Sequence, residues 1–136
     1  MEQYVLVVED EPVLLELAQE ILELGEIKAL GAPNADQAFK ILQEHPDIGL
    51  VITDIKMPGK IDGFELAWLI SECWPQIPVL VTSGHRAVRN DELPANARFM
   101  PKPWLISDFL DQAKEMLLMA KGYPWNRSDK TPGLHS

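Results

Sequence analysis

Ile48-Gly49-Leu50-Val51-Ile52-Thr53 (IGLVIT) is an unbroken apolar run that stops at an acid, Asp54. A strand with one face in water alternates apolar and polar residues. This run does not alternate, so both of its faces are expected to be covered, as in a parallel sheet sandwiched by helices. Similar runs lie on either side. Tyr4 to Val8 (YVLVV) ends at Glu9-Asp10-Glu11, and Pro78 to Thr82 (PVLVT) ends at a polar stretch. Ile27 to Leu30 and Arg98 to Met100 read as shorter strands.

Helical spacing fills the gaps. Pro12 suits a first helical turn, where its missing N–H costs nothing. Leu14, Leu15, Ala18, Ile21 and Leu22 then recur at helical intervals up to a terminating Gly25. Asn34 or Pro33 opens a second helix through Ala35, Ala38, Phe39 and Leu42, stopping near His45-Pro46. Asp62-Gly63 opens a third with Phe64, Leu66, Ala67, Leu69 and Ile70, and Ser107 is placed as the cap of a last helix bearing Phe109, Leu110, Ala113, Met116, Leu117 and Ala120. Residues 84–97 are polar and broken by Pro94, so any helix there is expected to be short or irregular. Strands alternating with helices define an α/β domain. The expected division is one domain over residues 1–121 and a polar, Gly- and Pro-bearing tail over 122–136. No internal repeat is visible.

The balance of the chain narrows its function. Of its 136 residues, 46% are hydrophobic and 24% charged, an ordinary globular mix. The net charge of −9 opposes non-specific binding to nucleic acid or to anionic membrane. One cysteine, Cys73, cannot form an internal disulfide, and no apolar run approaches a membrane span. A cytoplasmic protein without membrane insertion or direct nucleic-acid contact is expected.

In a parallel sheet, ligands bind beyond the carboxyl ends of the strands. Glu9 and Asp10 end the first strand, Asp54 the third and Thr82 the fourth, and Lys102 follows the fifth. Three carboxylates gathered on one rim repel each other unless a cation neutralises them. Hard oxygen donors favour Mg²⁺, which commonly bridges to a phosphate. A divalent cation and one lysine balance three carboxylates, leaving a pocket in which a carboxylate could accept a phosphoryl group. Taken singly, these residues have plainer roles: an acidic pair at a helix start, a turn aspartate, a strand threonine, a loop lysine. Their coincidence at successive strand ends carries the functional reading. Asp62 reads as a cap, His45 and His85 as solvent-facing, and Cys73 as a packing residue.

VLVVEDEP (Val5 to Pro12), VITDIKMPGKIDG (Val51 to Gly63), VLVTSGH (Val79 to His85) and FMPKPW (Phe99 to Trp104) together resemble the receiver domain of bacterial two-component response regulators. The resemblance implies a doubly wound five-stranded sheet of order 2-1-3-4-5. It implies that Asp54 accepts phosphate from a sensor histidine kinase or histidine phosphotransfer protein. It further implies Mg²⁺ on Asp10, Asp54 and the main-chain carbonyl of Lys56, with Glu9 acting directly or through water. Thr82, Ser83 and Lys102 would hold the phosphoryl group, Thr82 and Phe99 would form the switch, and Lys102-Pro103 would be cis.

Three features depart from the usual pattern: Glu9 stands where aspartate is common, the loop Pro58 to Gly63 is one residue longer, and the fourth helix is weak. Loops and endings of this kind resemble stand-alone receivers and receivers attached to hybrid kinases. Too little chain follows the last helix for a DNA-binding output domain, so output through contact with an unidentified target protein, or by onward relay, is expected. A receiver-like interaction module that takes no phosphate is the alternative. An aspartyl phosphatase of the haloacid-dehalogenase type would need an acid two residues beyond Asp54, where Lys56 stands.

Overall fold

The computed structural model describes residues 3–84 and 87–120. Five strands, β1 (Tyr4–Val8), β2 (Lys28–Ala32), β3 (Ile48–Asp54), β4 (Val79–Ser83) and β5 (Ala97–Pro101), form one parallel sheet of order β2-β1-β3-β4-β5. Among the described residues, four α-helices connect and cover it: α1 (Pro12–Leu24), α2 (Ala35–Glu44), α3 (Gly63–Cys73) and α4 (Ile106–Ala120).

The unbroken apolar strands are explained by burial on two sides. Successive side chains of a strand point to opposite faces. Leu6 and Val8 of β1, Val51 of β3, and Val79 and Val81 of β4 enter the layer closed by α2 and α3. Val5 and Val7, Leu50 and Ile52, and Leu80 enter the layer closed by α1 and α4.

Local chemistry sets the helix starts. Pro12 occupies the first turn of α1 as expected. Asn34 caps α2, its side-chain oxygen accepting from Gln37 N–H at 2.8 Å. Asp62 and Glu65 form a reciprocal capping box on α3, at 2.9 and 3.2 Å. Ser107 does not cap α4: the Leu105 carbonyl already accepts from Phe109 N–H at 3.0 Å, which places Ser107 inside the first turn. Cys73 is exposed rather than packed. The inward step after Leu66 and Ile70 falls on Trp74, whose ring meets Phe39 edge-on at 5.2 Å. The short strands also run further than their apolar runs, with β2 reaching Ala32 and β5 spanning Ala97 to Pro101.

Between β4 and β5 the described residues hold only a 3-10 turn, Asn90–Glu92. Leu93 is buried beneath it, and the Trp68 indole of α3 donates to the Glu92 carbonyl at 3.2 Å. The expectation of a short or irregular element there holds, apart from residues 85 and 86, which lie outside the described chain, as does the tail. The Lys102-Pro103 bond is cis, as the resemblance implies.

One buried cation ties the last helix to the sheet. Arg98 of β5 is 2% exposed, and its Nη1 donates to Gln112 and, at 3.0 Å, to Glu115 of α4. Burial pulls its affinity for a proton down, and the Glu115 carboxylate opposes that. Removing Glu115 takes the charged acceptor from a buried guanidinium, whereas an apolar replacement of Arg98 leaves behind only a part-exposed carboxylate. Glu115→Ala is therefore expected to cost about 2 kcal/mol, and Arg98→Met much less. Urea unfolding midpoints measure both, and equal losses would refute the asymmetry.

Candidate phosphoacceptor and metal site

The strand ends converge as the sequence suggests. Asp54 closes β3 directly beside Thr82 of β4. Glu9 leaves β1 with its N–H bonded to the Ala32 carbonyl at 3.0 Å, and Lys102 leaves β5 with its N–H bonded to Ser83 at 3.0 Å. Carboxylate oxygens of Glu9, Asp10 and Asp54 all lie within 4.8 Å of one another. The Lys102 ammonium stands 3.3 Å from Glu9 Oε1 and 3.5 Å from Asp54 Oδ1. Glu9, Asp54, Thr82 and Ser83 are buried.

Charge in this cluster is unfinished. Burial pushes the Glu9 carboxyl above its ordinary range, and Asp54 adds to the push; the Glu11 N–H, at 3.2 Å, and Lys102 oppose it. Asp54 Oδ1 is buried and receives no hydrogen bond. Three hard oxygen donors, two of them sharing one lysine and one buried oxygen among them without a hydrogen bond, fit a divalent cation with oxygen preference. Lys56, whose carbonyl the resemblance adds to that set, is exposed and begins the loop that leaves Asp54.

The loop returns tightly. Gly63 N–H donates to Ile55 at 2.8 Å, and Ile55 N–H donates to Thr82 at 3.0 Å. The Thr53 hydroxyl donates to the Asp54 carbonyl at 3.0 Å. The first turn of α3 is thereby pressed against the backbone that carries Asp54. Phe99 lies partly buried in the layer of α2 and α3. Asp62 is the cap already described, and His45 is half-exposed, 3.8 Å from Asp47. His85 lies outside the described residues.

Sequence reasoning missed one part of the site. A cavity of about 470 Å³ runs from Asp54, Thr82 and Lys102 under Trp104 to α1. Leu14 and Leu17 line it and stay partly exposed, although Leu14 lies in the helical apolar pattern of α1. The excess of leucine on α1 was the available signal.

This doubly wound sheet with an acidic, lysine-bearing rim defines a class of signalling domain, and comparison with known proteins makes it specific. The family model described as "Response regulator receiver domain" matches residues 5–113. The chain belongs to the response regulator receiver family. Receivers of this family act in two-component signalling.

The response regulator receiver protein CpdR of Brucella abortus is 29% identical over 119 residues, covering 85% of this chain and 98% of that protein. FleR of Pseudomonas aeruginosa is 37% identical over 84 residues, which is 62% of this chain but 17% of FleR. The receiver domain of the hybrid histidine kinase CckA superposes with a TM-score of 0.71 at 30% identity, covering 84% of this chain and 98% of that one. A CheY-like receiver from Methanospirillum hungatei gives 0.78 at 23% identity, with 89% and 98% covered, and supports the fold. Among the described residues no helix is long and apolar enough to cross a membrane.

Proposed function

We propose that Asp54 is the phosphoryl acceptor of this receiver, that Mg²⁺ is held by Asp10, Asp54 and the Lys56 carbonyl with help from Glu9, and that Thr82, Ser83 and Lys102 receive the phosphoryl oxygens. The observation that carries this reading is the single Lys102 ammonium placed between Glu9 and Asp54 at 3.3 and 3.5 Å. An Asp54 oxygen attacks phosphorus, the bond from phosphorus to the donor breaks, and the donor leaves with the electron pair. A bound divalent cation would offset the charge on the transferring group. Lys102 holds a phosphoryl oxygen by charge, and the Thr82 hydroxyl donates to another. Self-phosphorylation from small donors and hydrolysis back to the free carboxylate follow from the same arrangement.

The donor class is a sensor histidine kinase or a histidine phosphotransfer protein. Val13, Leu14 and Leu17 of α1, with Leu105 and Ile106, are exposed apolar side chains suited to its docking. Output passes from Thr82 to Phe99 and the loop 87–97, to a target protein in the cytoplasm. The receiver occupies residues 1–121, followed by the tail 122–136. A module that takes no phosphate would not need the acid–lysine–threonine set intact. Incubation with acetyl phosphate and Mg²⁺ should add about 80 Da to the intact mass, one phosphoryl group on a carboxylate nucleophile; no addition would overturn the acceptor.

Metal affinity separates the acids. Lys102 and the Glu11 amide already serve Glu9. Calorimetric titration with Mg²⁺ should therefore weaken roughly tenfold or more in Asp10→Ala, and less in Glu9→Ala. Loss confined to the Glu9 variant would contradict this ligand assignment.

A further inference from the structure

The cavity beside Asp54 has two unlike kinds of wall. Asp54, Thr82 and Lys102 supply polar lining, and Leu17, Ile52 and Trp104 supply apolar lining. Its volume of about 470 Å³ is within the roughly 300–1,000 Å³ of small-molecule sites. The Trp104 ring stacks on Phe109 with centroids 4.2 Å apart and planes 14° apart, which presents a flat aromatic wall. The Trp104 indole Nε1 is buried with no hydrogen-bond partner. A buried donor without an acceptor is costly, so the ring is held there by its apolar and stacking contacts.

We propose that this cavity selects small phosphoryl donors with an apolar remainder, namely acyl phosphates whose acyl group is aromatic or branched. The inference rests on Asp54 being the acceptor. With the phosphoryl group between Asp54, Lys102 and Thr82, the rest of the donor shares a cavity whose other walls are apolar. An acetyl group leaves most of that space unfilled, and a benzoyl group fills more of it. The Asp54 oxygen attacks phosphorus, the bond from phosphorus to the acyl oxygen breaks, and the carboxylate departs with the electron pair. No proton or redox partner is required. Contacts made to the remote part of a substrate can be used at the reacting centre.

Labelling rates of the full chain with benzoyl phosphate and acetyl phosphate, read by intact mass, test this. The two leaving acids are similar in acidity, so the comparison isolates the cavity. Benzoyl phosphate should react at least about tenfold faster, the scale of discrimination an apolar pocket supplies. Ala18→Phe fills the cavity and should bring the ratio of the two rates to near one. A binding readout stands beside this if that variant fails to fold. Phenylphosphonate should bind the wild-type chain about tenfold more tightly than methylphosphonate, shifting the indole N–H resonance that Trp104→Phe removes. Equal labelling rates together with equal phosphonate affinities overturn the cavity proposal alone. Labelling by neither donor overturns the acceptor reading and this one together.

Discussion

Asp54→Asn should abolish phosphorylation while leaving the chain folded. The substitution keeps the shape of the side chain and removes the only carboxylate that ends β3. A neutral amide is no nucleophile for phosphorus at neutral pH. The mass gain of about 80 Da, one phosphoryl group on the nucleophile, should therefore disappear completely. Stability should not fall, because the variant relieves repulsion between Asp54 and the nearby Glu9 and Asp10. Hydrogen exchange supplies the second readout. Acetyl phosphate should alter protection in the loop 87–97 of the wild-type chain and leave the variant unchanged. An undiminished mass gain in Asp54→Asn would move the acceptor to another carboxylate.

Gly63→Ala should be the most damaging glycine-to-alanine change among the described residues. A Cβ built at Gly63 would lie 1.8 Å from the Asp54 carbonyl oxygen and 2.9 Å from Thr53 Oγ1. The first obstacle is main chain, so no side-chain rotation relieves it. Either α3 moves off the sheet or β3 bends at its carboxyl end. Overpacking of this severity costs about 3 kcal/mol or more. Urea unfolding should show a much lower midpoint, and acetyl phosphate labelling of the surviving folded protein should slow because Asp54 is displaced. A midpoint equal to that of the wild type would show that the helix yields freely, contrary to the close contact seen here.

The fold was legible because its strands are buried on both faces. Tyr4–Val8 and Ile48–Thr53 carry no polar alternation, and that pattern admits few architectures. The acids at the strand ends were legible for the same reason: once the sheet is parallel, its carboxyl ends share a rim. Asp62 could be read as a cap because a capping box is written in four consecutive positions. What escaped depends on the third dimension. Ser107 has the chemistry of a cap, but the path of the chain after β5 gives that position to Leu105. Cys73 sits where a packing residue was plausible, yet helical phase hands the inward step to Trp74. Lys102 and Glu9 are 93 residues apart, and only their meeting reveals that the lysine serves two acids. The cavity is a gap between α1, α4 and the sheet, and a gap leaves no local pattern.

The anchoring of β5 bears on how a signal can leave the site. Arg98 and Phe99 are neighbours on that strand and point to opposite sides. Arg98 is fastened to Gln112 and Glu115 of α4, and Phe99 lies against the layer of α2 and α3. Sliding or rolling the strand to free the aromatic ring would drag a buried guanidinium away from its acceptors. The ring can instead turn about its own side-chain bonds while the strand stands still. If Thr82 and Phe99 act as the proposed switch, the change is then expected to be a rotamer change on a fixed rail, with α4 as the clamp that keeps the rail in place.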